Sequence, residues 1–291
     1  MSPWIIGFCV FTLYPVLSSF YFSFTSYDLL GTPEWVGLAN YRFMFTKDPL
    51  FWLSVRNTLW IIVFALPIRI AFAMFTAYML TRATRGWRTY RTLFFLPTMV
   101  PAVAAALAFV YLFNPAVGPI NVMLGGLGVD DPPLWFRSAE WSKPALLLLA
   151  LWGVGDAMII FLAGMLDVPR QLYEAAEIEG ARAWQKFRYV TFPLITPVLF
   201  FSLVMGVIDG FQYFTQAYVA SNQLSQGSIG YPENSLLFYS VNLYRVGFRN
   251  YKMGYASAMA WVLLVIILLC TLVIMRSSRR WVHYQGGSMF R

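Results

Sequence analysis

Residues 174–193 read EAAEIEGARAWQKFRYVTFP. Three Glu, three Arg or Lys, a Gly and a Pro crowd into this stretch, in a chain that is 59% hydrophobic and only 12% charged. An ordinary soluble domain is about 25% charged. The stretch is therefore a polar island in a chain built for lipid, whose mean hydropathy is +0.61. What lies on either side of it decides the fold.

Outward from the island run six long apolar windows, at 3–24, 53–80, 93–113, 144–166, 195–219 and 253–275. Each reaches the roughly 20 residues that a helix rising 1.5 Å per residue needs to cross a hydrocarbon core of about 30 Å. None shows the strict alternation of a barrel strand. Backbone groups in lipid must satisfy one another, so the expected fold is all-α: a polytopic membrane protein with six transmembrane helices forming one domain over 1–291. The charged hairpin, 167–192, falls between the fourth and fifth windows.

Basic residues orient the bundle. The stretches 81–92, 167–194 and 276–291 hold 12 Lys or Arg, and the longer stretches 25–52, 114–143 and 220–252 hold 7. The first set is expected on the cytoplasmic side, with both termini and the hairpin. A net charge of +8 then needs no nucleic acid to explain it; membrane lipids are the partner it implies. The opening MSPWIIGFCVF reads as part of a span rather than a signal peptide, because no cleavage site and soluble domain follow it. A native and a trimmed terminus look alike in it.

Several chemistries are excluded. The single histidine, His283, leaves no His-based triad, multi-histidine zinc site or haem pair. Cys9 and Cys270 sit in apolar windows and suggest neither a disulfide nor a metal site. No phosphate loop occurs, and the glycine cluster LGGLG at 124–128 lacks the lysine that would complete one. The outer loops offer no paired catalytic constellation. The chain is expected to be no enzyme and to hold no cofactor of its own.

Ionisable residues at membrane depth are costly and point to function. Arg69 in the second window, Asp156 in the fourth and Asp209 in the fifth qualify. Ser202, Asp209, Gln212, Tyr213 and Gln216 occupy about one third of the circumference of a continuous fifth helix. Such a stripe suits a wet cavity, where amides, a carboxylate and an aromatic ring would bind a hydroxyl-rich solute such as a sugar. Two roles are open for Asp209: contact with solute, or neutralisation of Arg69. For Asp156, in WGVGDAMIIF, small neighbours make helix packing as good a reading as pathway lining. Arg69, flanked by Thr58 and Thr76, reads as structural. Pro15, Pro67, Pro97, Pro101 and Pro197 are expected to kink or break their helices.

In the hairpin itself, Asp167 is placed to cap a helix with Pro169 in its first turn, and Gly180 to end it in the left-handed conformation. A second short helix should run over 181–189. Leu172, Ala175, Ala176 and Glu179 share one face of the first helix, whose small alanines let another backbone approach. Composition and spacing alone leave two readings of that face open: a docking knob, or the amphipathic piece of an ordinary cytoplasmic loop.

The residues here resemble closely the EAA signature of inner-membrane permease subunits of ABC importers, approximately E-A-A-x-x-D-G-A-x-x-W-x-x-F-x-x-I-x-L-P-L-x-x-P. Glu174, Ala175, Ala176, Gly180, Ala181, Trp184, Phe187, Pro193, Leu194 and Pro197 match it, and Glu179 stands where the family usually has Asp. WVGLANYRFMF (35–45), YRTLFFLPTMVPAVAAALAFVYLFNP (90–115) and MGYASAMAWVLLVIIL (253–268) extend the likeness to the carbohydrate, maltose-type branch. ASNQLSQGSIGYPENS (220–235) departs from it where many relatives carry Gly-Gly-Pro.

The resemblance implies a transmembrane subunit of a bacterial cytoplasmic-membrane importer, translocating a sugar or sugar-like solute. It implies four kinds of partner: a second homologous permease, two cytoplasmic ATP-binding subunits that use ATP and Mg, an extracytoplasmic solute-binding protein, and the sugar. Glu174, Ala175, Ala176, Glu179, Gly180 and Trp184 would then couple the bundle to an ATPase subunit. A proton-coupled secondary transporter is the rival reading, since Asp156 and Asp209 could carry protons, but it leaves the hairpin unexplained and the six windows show no inverted repeat.

Overall fold

The computed structural model describes residues 2–82, 85–224 and 228–283. Arg291 of the basic tail and residues 225–227 of the divergent stretch lie outside them. Among the described residues the chain is helical apart from loops and one two-residue antiparallel pair, Thr25–Ser26 with Glu34–Trp35. Four helices are long and apolar enough to cross a membrane: Ser2–Phe22, Pro49–Arg82, Thr196–Asn222 and Met253–Ser278. They match the first, second, fifth and sixth windows. The other two windows are each a bent pair, Trp87–Met99 with Ala102–Leu112 at 98° and Ala139–Trp152 with Gly155–Leu166 at 50°. Counting each pair as one span gives up to six.

Proline explains the sharper bend. Pro101 cannot donate a helical hydrogen bond and pushes the residue before it into extended backbone. Val100 accordingly has ψ 127°, and a new helix starts after Pro101. Pro15 and Pro67 act more gently. Each follows by two residues a five-residue π-helical segment, Cys9–Leu13 and Ile61–Ala65, and Phe187–Thr191 precedes Pro193 in the same way. Widening the turn makes room for a ring that would otherwise meet the carbonyl one turn back. Pro197 differs from expectation: it lies in the first turn of Thr196–Phe211, where a proline is tolerated, and kinks nothing.

Of the four unbroken spans the second is the most buried, and the first has no buried residue. Leu66, Ile70, Ala73 and Ala77 of the second span pack with Met158, Phe161 and Met165 of the fourth and Val207 and Phe211 of the fifth. Glycines permit these approaches. A Cβ at Gly155 would strike the Phe94 carbonyl, and one at Gly206 would strike Leu66 Cδ1.

A polar collar closes the end opposite the hairpin. Asn57 donates to the carbonyls of Asn234 (2.9 Å) and Leu237 (3.0 Å), Lys143 donates to Asn57 Oδ1 (2.9 Å), and Tyr239 N–H donates to Thr58 Oγ1 (2.9 Å). Asn40 donates to the carbonyls of Ser23 and Thr25, both at 2.9 Å, while Tyr255 donates to Asp48 at 2.7 Å. Thr58 is thus structural, as is Thr76, which donates to the carbonyls of Phe72 and Ala73.

Candidate functional site: a solute cavity and a docking hairpin

The breaks converge. A cavity of about 800 Å³ is walled by the second span, the bends of the third and fourth, and the middle of the fifth. Arg69, Asp156, Asp209, Gln212, Tyr213 and Gln216 all line it. Ser202 does not; it lies two turns below, partly covered and away from the cavity. The fifth helix also departs from the continuous cylinder on which the stripe was drawn. It ends at Phe211 and restarts at Thr215: Gln212 N–H still reaches the Ile208 carbonyl at 3.2 Å, and Tyr213 and Phe214 form the break within the cavity wall. The Phe211 carbonyl accepts instead from Ser240 Oγ at 3.0 Å.

Of the two carboxylates open to Arg69, Asp156 takes it. Arg69 Nη2 donates to Asp156 Oδ1 at 2.7 Å and to Oδ2 at 3.0 Å. Asp156 stands in the first turn of Gly155–Leu166, where a helix N-terminus favours an anion. Asp209 takes part in no ion pair among the described residues. Neutralisation of Arg69 therefore falls to Asp156. Sequence reading also passed over Gly206 and Gly210. A Cβ on Gly210 would come within 2.9 Å of Ile62 Cγ1, so the small-xxx-small spacing lets the second span come up against the fifth.

The hairpin begins with Arg170–Ile178. Its N-cap is Pro169, with no side-chain cap; Asp167 instead ends the preceding helix, its N–H donating to the Ala163 carbonyl. The expected cap at Asp167 fails because two further residues, Val168 and Pro169, turn the chain before the helix starts. Gly180 has φ +77°. Ala181 N–H reaches the Ala176 carbonyl at 2.8 Å and Gly180 N–H the Glu177 carbonyl at 3.0 Å, the pattern of a glycine-terminated helix.

The second helix starts two residues later than expected. Its α-helical part is Ala183–Lys186, continuing as the π segment Phe187–Thr191, and Gln185 Oε1 accepts from Arg182 N–H at 2.7 Å. Lys186 and Glu177 clamp the two arms at 2.7 Å, and Arg170 pairs with Glu174 at 2.9 Å. Glu177 is held below the usual carboxylate range by the Lys186 hydrogen bond first, then by that ammonium's charge.

The exposed face of the hairpin is not quite the one drawn from spacing. Ala176 is half-buried beside Tyr173, whose hydroxyl lies 2.9 Å from Thr191 Oγ1. Leu172, Glu174, Ala175, Glu179 and Gly180 are exposed, as are three large rings or apolar groups: Ile178, 89% exposed, Trp184, 68% exposed, and Tyr189, 74% exposed. Trp184 stacks on Phe187 at 5.5 Å, and Phe187 packs on Tyr78 of the second span at 4.8 Å. Packed rings therefore connect the hairpin to a spanning helix.

A helical bundle with broken spans around a polar cavity, and a rigid charged hairpin at one end, defines the class of multi-pass membrane permeases. The chain belongs to the binding-protein-dependent transport system inner membrane component family, whose model matches residues 69–283. It is 42% identical over 287 residues to the probable ABC transporter permease protein YesP of Bacillus subtilis, covering 98% of this chain and 91% of that protein. It is 32% identical to the arabinooligosaccharides transport system permease protein AraP of the same organism, covering 95% and 86%. A chain in the crystal structure of a bacterial alginate ABC transporter, in complex with alginate pentasaccharide-bound periplasmic protein, superposes with a TM-score of 0.82 at 23% identity, covering 96% of this chain and 92% of that one. The protein is an inner-membrane permease subunit of an ABC importer.

Proposed function

We propose that this subunit passes a sugar or sugar-like solute through the cavity walled by Arg69, Asp156, Asp209, Gln212, Tyr213 and Gln216. The observation that carries the reading is the convergence of three helix breaks on that polar cavity, in a chain whose relative AraP is a permease for arabinooligosaccharides. Unwound backbone is tolerated at membrane depth where it lines a water-filled space, and carbohydrate hydroxyls can replace that water. With Asp156 occupied by Arg69, Asp209 and the amides of Gln212 and Gln216 are the groups left to meet solute.

In this reading each bent pair is one span, the bundle has six, and the hairpin and both termini face the cytoplasm, as the basic residues indicate. Ile178, Trp184, Ala175 and Glu179 seat in a groove of an ATP-binding subunit, Glu174 stiffens the docking helix through Arg170, and Gly180 and Ala176 hold its end. ATP and Mg belong to that partner, and this chain carries no ATPase site. A second permease completes the pathway, and a solute-binding protein delivers to its outer end. Differential docking of the hairpin in two ATPase states biases the bundle between inward-open and outward-open forms.

The test is purification of the intact assembly from its native membrane, identification of the co-purifying subunits, and uptake assays in proteoliposomes. Labelled arabino-oligosaccharides and alginate oligosaccharides serve as neutral and acidic probes. ATP-dependent uptake of either supports the reading; an assembly with ATPase subunits that moves neither overturns the sugar assignment.

A further inference from the structure

We propose that Phe214, Tyr218, Tyr244 and Phe248 form an aromatic track along which the solute passes between the cavity and the membrane face remote from the hairpin. The inference rests on the sugar reading above and adds a binding surface outside the cavity.

The rings form a continuous series. Phe214, at the break in the fifth span, belongs to the cavity wall. It stacks on Tyr218 with centroids 5.1 Å apart and planes within 15°. Tyr244 meets both, at 5.3 Å from Phe214 and 5.2 Å from Tyr218, and stacks on Phe248 at 5.3 Å with planes within 22°. Phe248 is 56% exposed. The direction follows from connectivity. The hairpin precedes the fifth span and the segment holding Tyr244 and Phe248 follows it, so the series leads from the cavity to the opposite end.

Bulk packing does not require this arrangement. Phe238 and Tyr239 in the same connection are fully buried and fill the core, whereas Phe214, Tyr218 and Tyr244 lean on that core from one side and stay partly open on the other. Polar groups edge the apolar rings: the hydroxyls of Tyr218 and Tyr244, and Arg249, whose Nη2 donates to Tyr218 Oη at 3.4 Å.

A saccharide ring has this pairing of surfaces in complement. Its C–H faces lie against the electron-rich faces of aromatic rings, and its hydroxyl rim bonds to phenols and a guanidinium. Ring contacts repeated about every 5 Å let a sugar exchange one contact for the next without a deep well, as passage requires.

The experiment uses the complete transporter in proteoliposomes, supplied with binding protein loaded with a labelled arabino-oligosaccharide. Phe248→Ala, Phe248→Leu and Phe248→Tyr are compared, with Tyr244→Leu as a second site. The track requires a three- to tenfold fall in maximal uptake for the Ala and both Leu variants and near-normal uptake for Phe248→Tyr. Subunit composition and the binding-protein concentration for half-maximal rate should not change. Equal uptake in every variant overturns it. So does loss of the second permease in Phe248→Ala restored in Phe248→Leu, which makes the surface a subunit contact. A raised binding-protein requirement at normal maximal rate overturns it as well, making the surface a docking face. No uptake by the unaltered transporter would sink the sugar reading and the track together; normal uptake with unaffected variants sinks the track alone.

Discussion

Arg69 on the second span holds Asp156 on the fourth through a single nitrogen, at 2.7 and 3.0 Å to the two carboxylate oxygens. The pair straddles the cavity just beyond the bend of the fourth span, and its side chains are 28% and 57% exposed. Water therefore reaches the carboxylate, and the pair is worth far less than a sealed one. Its value is positional: it ties two walls of the cavity.

Breaking that tie should loosen the bundle modestly. Asp156→Asn should lower stability in detergent by about 1 kcal/mol, the scale of a half-exposed pair, and Arg69→Leu combined with Asp156→Leu should recover most of it. Thermal inactivation midpoints of the purified assembly measure both. A double variant less stable than Asp156→Asn alone would contradict the tie.

Asp209 should behave differently, because Arg69 is already neutralised. Asp209→Asn should leave assembly and basal ATPase rate intact. Together with Gln216→Ala it should shift the sugar concentration for half-maximal uptake about three- to tenfold per lost hydrogen bond, taking about 1 kcal/mol for each. Uptake curves that superpose on those of the unaltered transporter would leave the polar face as helix packing.

The hairpin should uncouple without unfolding the spans. Gly180 sits at φ +77°, where a β-branched residue is strained. Gly180→Val should therefore distort the end of the docking helix. Glu174→Lys should set two cations against each other at the Arg170 position, now an ion pair at 2.9 Å. Each should lower sugar-stimulated ATPase activity and uptake severalfold at normal membrane yield. Normal stimulation in both variants would remove the coupling role.

Acid should open the hairpin clamp. Glu177 is held below its ordinary value of 4.5 by Lys186, so it releases its proton more readily folded than unfolded. Its contribution is present above 4.5 and is lost as pH falls through the lowered folded value. Hydrogen-exchange protection of the amides of 177–187, corrected for intrinsic rates, should drop over that window. Glu177→Gln should abolish the pH dependence and start from the lower level.

Topology is open to labelling in a background of Cys9→Ser and Cys270→Ala. Gln185→Cys in the hairpin should resist a membrane-impermeant thiol reagent in intact cells, and Asn250→Cys should react. Labelling of Gln185→Cys from outside would invert the orientation.

Apolar runs and the charged stretch around Glu174 were enough to announce a helical membrane bundle interrupted by a charged hairpin, because lipid leaves the backbone few alternatives and charge is expensive there. The left-handed Gly180 and the break at Pro101 were equally legible, since each follows from local backbone sterics. Which charges meet was not. Asp156 and Asp209 look alike in one dimension, and Arg69 chose between them only after a bend in the fourth span, glycine contacts at Gly155 and Gly206, and a break after Phe211 had set three helices at a common depth. Ser202 left the polar face for the same reason: helical periodicity assigns an angle around one axis, whereas membership of a cavity depends on where neighbouring helices bend. The track from Phe214 to Phe248 joins residues 34 positions apart and exists only because the chain returns along the fifth span. Local sterics and solvent preference are written in the order of residues; pairing across helices is decided by the packing that brings them together.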